Sequence, residues 1–116
     1  MQVTIYHNPR CSKSRATLQL LSDRGIEPRV VEYLKTPPTA EDLAGLVRAL
    51  GTDASSLLRT GEAEYAEAGL GEAGVDDAAI LRAIAKHPKL LQRPIVLVGD
   101  QARIGRPPER VLEILP

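Results

Sequence analysis

Val3-Thr4-Ile5-Tyr6-His7-Asn8-Pro9-Arg10-Cys11-Ser12-Lys13-Ser14-Arg15-Ala16-Thr17-Leu18 is the stretch that decides the fold. Val3 to Tyr6 is short, β-branched and aromatic, the composition of a strand. His7 to Cys11 breaks it with a proline and polar side chains. Helix formers return from Ser12 to Arg24, with Leu18 and Leu21 one turn apart, Ala16 and Leu20 beside them, and Gly25 as a left-handed stop. Arg29 to Tyr33 reads as a second strand. Two strands that straddle a helix make a right-handed parallel βαβ unit.

The rest of the chain continues the alternation. Thr39-Ala40-Glu41-Asp42 has the pattern of a capping box, and Leu43, Leu46, Val47 and Leu50 line one face of the helix that follows. Gly51 ends it. Residues 52–75 are rich in Gly, Ala and Glu, with one short helix expected near Ser55 to Arg59. Asp76-Asp77 opens a helix that turns Ile80, Leu81 and Ile84 inward, and His87-Pro88 closes it, because the residue before proline disfavours the helical region. Ile95 to Val98 is a buried-type strand, Gly99-Asp100 a hairpin turn, and Ala102 to Ile104 the returning strand. Pro107-Pro108 starts a last helix with Val111, Leu112 and Leu115 on its apolar face. The order predicts an α/β domain: a small mixed sheet flanked by helices, with a helical insertion between a βαβ half and a ββα half. Residues 1–116 are expected to form one domain, with the insertion spanning about 39–90.

Composition narrows the chemistry. The 116 residues carry 15 basic and 15 acidic side chains. A neutral chain lacks the electrostatic footprint of a non-specific nucleic-acid binder. The longest apolar run, Ile95 to Val98, is far short of a membrane span, and the first residues lack the pattern of a signal peptide. A cytoplasmic chain is expected, and with no long exposed apolar face, a monomer. The single cysteine excludes an intrachain disulfide and a dithiol switch. A metal centre is not expected, since His7 and Cys11 have only His87 as a further histidine.

Cys11 falls at the carboxyl end of a strand and the amino end of a helix, where ligands collect in α/β sheets. A helix N-terminus presents unpaired N–H groups and about half a positive charge, which favours thiolate over thiol and attracts anions. The polar loop around Cys11 argues for a reactive thiol over a small buried hydrophobe. A phosphatase-type Cys-x5-Arg loop is absent, because position 17 is Thr. In Cys-x-x-Ser, Ser14 stands where a resolving cysteine would, so a mixed adduct must be resolved by an external thiol such as glutathione. His7, four residues upstream, could hold a proton away from the thiolate or lend it positive charge. Basic residues are 11 Arg against 4 Lys, and Arg offers a planar fork of donors to oxyanions. Most are read as solvated surface charge; Arg59, Arg93 and Arg106 sit where an anion site needs them.

Tyr6-His7-Asn8-Pro9-Arg10-Cys11-Ser12-Lys13-Ser14-Arg15 resembles the active-site start of the glutaredoxin-dependent arsenate reductases. So do Tyr33 to Thr39, Leu57-Leu58-Arg59, His87-Pro88, Arg93-Pro94-Ile95-Val96 and Gly105-Arg106-Pro107-Pro108-Glu109, in collinear order along nearly the whole chain. The ending is similar to that of a branch of small bacterial proteins in this family. The resemblance implies a thioredoxin/glutaredoxin-like fold, in which the proline loop at Arg93-Pro94 faces the thiol. It also implies reduction of arsenate to arsenite through a thiol–arsenate adduct, with glutathione as co-substrate, glutaredoxin as reductant and no bound cofactor. Cys11 is then the nucleophile and His7 tunes its ionisation. Arg59, Arg93 and Arg106 bind the oxyanion, and Asn8, Ser14 and Pro94 support the loop. Other readings of the same fold are a non-catalytic redox sensor or interaction module, and a monothiol glutaredoxin-like transferase.

Overall fold

The computed structural model describes residues 2–116, and the chain divides into two compact units. One comprises the chain up to Thr36 together with Arg93–Pro116; the other is Pro37–Gln92. The first unit is built on four strands: β1 (Val3–Tyr6), β2 (Arg29–Val31), β3 (Ile95–Val98) and β4 (Gln101–Ile104), in the order β2-β1-β3-β4. β1 runs parallel to β2, with Ile5 opposite Val30, and antiparallel to β3, with Ile5 opposite Val96. β4 returns antiparallel to β3. Helix α1 (Ser12–Asp23) makes the crossover between β1 and β2. This is the small mixed sheet flanked by helices that the strand pattern predicts.

Strand periodicity places the core. Side chains two apart share a face, so Val3 and Ile5 of β1 join Val96 and Val98 of β3 against Leu21 of α1 and Val111 and Ile114 of the C-terminal segment. Burying an aliphatic side chain of this size contributes about 1.5–3 kcal/mol, and Ile5 and Val96 are wholly buried. β1 therefore lies at the centre of the unit, and the end of β1 is a rigid point from which to hang a loop.

Three local expectations are corrected. Helix α1 buries Ser14, Thr17 and Leu21, and leaves Ala16 exposed. The two hydroxyls can be buried because each is satisfied locally: Thr17 Oγ1 donates to the Lys13 carbonyl at 2.8 Å, and Ser14 Oγ lies 2.6 Å from His7 Nδ1. β2 ends at Val31, since Glu32 enters a turn whose carbonyl accepts from the N–H groups of Lys35 and Thr36, both at 2.9 Å. The C-terminal helix is a 3₁₀ helix, Pro108–Glu113, with Val111 and Ile114 buried and Leu112 and Leu115 only half-buried. Proline at 107 and 108 leaves the start of this segment without N–H groups, and a short 3₁₀ run follows.

The second unit is helical. It contains α2 (Ala40–Leu50), α3 (Ala63–Glu67) and α4 (Asp77–Lys86), with 3₁₀ turns at Ala54–Leu57 and Pro88–Leu90. α2 and α4 pack together, burying Leu43 and Leu46 on one and Ile80, Leu81 and Ile84 on the other. The five-residue α3 has no buried side chain of its own, so its sequence carries no apolar period to reveal it. Thr39 closes the expected capping box: its hydroxyl accepts from the Asp42 N–H and the Asp42 carboxylate accepts from the Thr39 N–H, both at 3.0 Å. Thr39→Ala removes one half of this pair and is expected to cost about 1 kcal/mol, read as a lower denaturant midpoint with an unchanged m-value.

Candidate active site

The first unit supplies the site. After Tyr6 the chain leaves β1, and the His7 N–H still pairs with the Val31 carbonyl at 2.8 Å, so the loop begins anchored to both parallel strands. Asn8 closes a tight turn: its carbonyl accepts from the Cys11 N–H at 3.0 Å, and its Oδ1 from the Arg10 N–H at 3.0 Å. Arg15 reaches back from α1 to the Pro9 carbonyl at 2.9 Å. These bonds deliver Cys11 to the N-cap of α1 in an extended conformation.

Cys11 is 8% exposed, enough to call it buried. Burial alone would push a thiol up. The N–H groups of Ser14 and Lys13 and the Arg93 guanidinium oppose it, and the balance holds the Cys11 pKa below its ordinary value. Cys11 makes no formal capping hydrogen bond, so its sulfur is favoured as an anion without being tied down as a cap. The reactive-thiol expectation rested on the helix N-terminus and a polar loop. The sulfur is enclosed, and the helix N-terminus together with an arginine accounts for its acidity.

Arg93 and Arg106 both reach the thiol. The positive charge of Arg93 attracts the thiolate, and Arg106 Nη2 lies 3.9 Å from Sγ. Arg106 is held by its own Nε, which donates to the Arg93 carbonyl at 2.8 Å. The Arg93–Pro94 and Arg106–Pro107 bonds are cis. Arg93 Nε is buried and has no hydrogen-bond partner. A buried guanidinium N–H costs free energy until an acceptor satisfies it. Arg59 belongs to the second unit, where its N–H donates to the Leu90 carbonyl at 2.8 Å and its guanidinium lies 3.9 Å from Glu62.

His7 packs against Ser14 in the first turn of α1. It is 6% exposed, and its Nδ1 lies 2.6 Å from Ser14 Oγ. That hydroxyl already accepts from the Asn8 N–H at 3.0 Å, leaving its own hydrogen for the imidazole. Burial lowers the His7 pKa, with Glu32 pulling it up and Arg15 pushing it down, so the neutral ring is favoured. A neutral His7 lends no positive charge. It fixes Ser14, whose N–H in turn faces the sulfur. The Ser14 hydroxyl joins His7 to the Asn8 N–H.

A groove of about 210 Å³ opens beside the loop, lined by His7, Asn8, Pro9 and Arg10 on one side and Glu32, Leu34 and Lys35 on the other. Among the described residues no group of three His, Cys, Asp or Glu side chains could hold a metal ion, and no helix is long and apolar enough to cross a membrane.

Sequence reasoning had no signal for Thr17 or for the wall beneath Arg106. Gly105 lies there, and it was quoted only as part of a motif. Its N–H donates to the Pro94 carbonyl at 2.9 Å, and its Cα faces Thr17.

Known proteins carry the same arrangement of sequence. The chain is 51% identical to the uncharacterized protein YfgD of Escherichia coli, over 98% of this chain and 97% of that one. It is 48% identical to an arsenate reductase of Neisseria meningitidis, over 98% of both chains. Among solved structures, an arsenate reductase from Vibrio cholerae superposes with a TM-score of 0.96 at 52% identity, covering 99% of this chain and 98% of that one. The model of the ArsC family matches residues 6–114, a span that begins just before the Cys11 loop and ends after Arg106. On that full-length match, the chain belongs to the ArsC family.

Proposed function

We propose that this chain reduces arsenate to arsenite through an adduct on Cys11 that glutathione and glutaredoxin resolve. The observation that carries the reading is the Cys11 thiolate at a helix N-terminus, flanked by Arg93 and Arg106, with the buried Arg93 Nε unpartnered. A thiolate needs at most one arginine to be stabilised. A second guanidinium and a spare buried donor suit a tetrahedral oxyanion brought to the sulfur.

The steps balance as follows. The Cys11 thiolate attacks arsenic(V), an As–S bond forms, and one oxygen leaves as water. Glutathione condenses at the same arsenic: a second As–S bond forms and a second oxygen leaves as water. A glutaredoxin thiolate then attacks the glutathionyl sulfur; a disulfide forms, and the As–S electron pair stays on arsenic, which becomes arsenic(III). Water cleaves the remaining As–S bond, giving arsenite and the Cys11 thiol. The N–H groups of Ser14 and Lys13 and both arginines face the charge that develops around sulfur and oxygen. The groove beside the loop suits a zwitterionic tripeptide thiol, offering Arg10 and Lys35 to carboxylates and Glu32 to an ammonium group.

The family resemblance and the arsenate reductases among the relatives support this reading, and Arg59 enters it on the resemblance alone. A monomer in a reducing, cytoplasmic setting is part of the same proposal, since a lone nucleophilic thiol must stay reduced between turnovers. The test is arsenate-dependent oxidation of a glutathione, glutathione reductase and NADPH couple by the purified chain. Turnover should require both glutathione and glutaredoxin, and Arg59→Ala should raise KM for arsenate about tenfold. No arsenite formed at any arsenate concentration would overturn the reading.

A further inference from the structure

We propose that Gly105 is a positioning residue of the thiol site: lacking a Cβ, it lets the end of β4 close onto Pro94 and Thr17, and so holds Arg106 and the Arg93-Pro94 turn against the first turn of α1. The inference rests on the reading that Cys11 is the reacting thiol.

The geometry is over-determined at this one residue. A Cβ on Gly105 would stand 2.7 Å from Thr17 Oγ1 and 2.8 Å from Pro94 Cγ, with Thr17 Cγ2 at 3.4 Å. Contacts under 3.0 Å must be relieved by movement, and none of these neighbours is a flexible side-chain end. Thr17 is wholly buried and its hydroxyl is tied to the Lys13 carbonyl. Pro94 is buried and its carbonyl accepts the Gly105 N–H. Gly105 does not have a positive φ, so the demand for glycine at this position is one of space and not of backbone conformation.

Each neighbour that would have to move holds part of the site. Pro94 follows Arg93, whose carbonyl anchors Arg106 Nε and whose charge favours the thiolate. Arg106 follows Gly105 directly and brings Nη2 to 3.9 Å from Sγ. Thr17 is bonded to Lys13, whose N–H faces the sulfur from the first turn of α1. A side chain at 105 therefore wedges apart the three groups that attend the thiolate. Of the eight other glycines, Gly45 makes a suitable control, because a Cβ there would meet only Arg48 Nη2 at an ordinary 3.7 Å.

The experiment is the pH dependence of Cys11 alkylation by iodoacetamide in wild type, Gly105→Ala, Gly105→Ala/Thr17→Ala and Gly45→Ala, each with its Tm measured. Gly105→Ala is expected to move the alkylation midpoint upward by about 0.5 unit or more, an about threefold lower rate below the midpoint. The double variant, freed of the 2.7 Å contact, should recover part of the shift, and Gly45→Ala should keep the wild-type profile. A folded Gly105→Ala with the wild-type midpoint overturns the proposal. So does a Gly45→Ala profile that shifts equally, or failure of both Gly105 variants to fold, which would make Gly105 a requirement of the fold as a whole. Alkylation involves neither arsenate nor a reductant, so absence of arsenate turnover would leave this result standing.

Discussion

Cys11→Ser is expected to lower arsenate turnover by about 10⁴-fold or more, the order of loss when a covalent nucleophile is removed. Serine preserves the size of the side chain and the N-cap position, and serine is itself a good N-cap, so α1 should form as before. What disappears is the thiolate. A hydroxyl facing the same N–H groups and the same Arg93 stays protonated at neutral pH and forms no As–S bond. The effect should fall on kcat, because Arg93 and Arg106 remain to bind the oxyanion. The same variant exposes a stability linkage. The folded Cys11 pKa lies below its ordinary value of 9.0, so the thiolate contributes stability that is present in full above that value and is lost as pH falls through the folded one. Between those two pH values wild type should therefore gain stability with rising pH relative to Cys11→Ser. Thermal melts of the two chains across neutral to mildly alkaline pH check the sign. A Tm difference that is flat, or that shrinks as pH rises through that interval, would show that the folded thiol is not acidified.

The sheet was legible because its strands are short β-branched runs with turn residues between them, and the central pair β1 and β3 has to be apolar to be buried at all. The place of the thiol followed from the same logic, since a polar break after β1 and a helix after the break leave Cys11 at the N-cap. The capping box at Thr39 was legible for the same local reason. What stayed hidden depends on contacts between residues distant in sequence. Thr17 reads as an ordinary helix-surface residue until Gly105 and Pro94 are seen to close over it. The burial of His7 and its hydrogen bond to the Ser14 hydroxyl are not revealed by any spacing. Ala16 lies exposed, and the two hydroxyl residues with partners at hand take the buried face of α1.

Arg93→Ala should be the second most damaging change, lowering kcat/KM for arsenate by about 10²–10³-fold, the loss typical of one donor removed from a charge-stabilising site. Two separate consequences add. The thiolate loses a cation that attracts it, so a smaller fraction of Cys11 is ionised at neutral pH. The oxyanion loses the buried Nε donor, which has no partner within the protein. The Arg93 carbonyl that anchors Arg106 is part of the backbone and survives the substitution, so the loss reports on the guanidinium and not on collapse of the second arginine. Arg93→Lys separates the two consequences, because an ammonium group keeps the charge but not the planar fork. It should recover most of the acidity of Cys11 in an alkylation profile while restoring little of the kcat/KM for arsenate. Equal recovery of both would mean that Arg93 acts on the thiol by charge alone, and that its unpartnered Nε is not where the oxyanion binds.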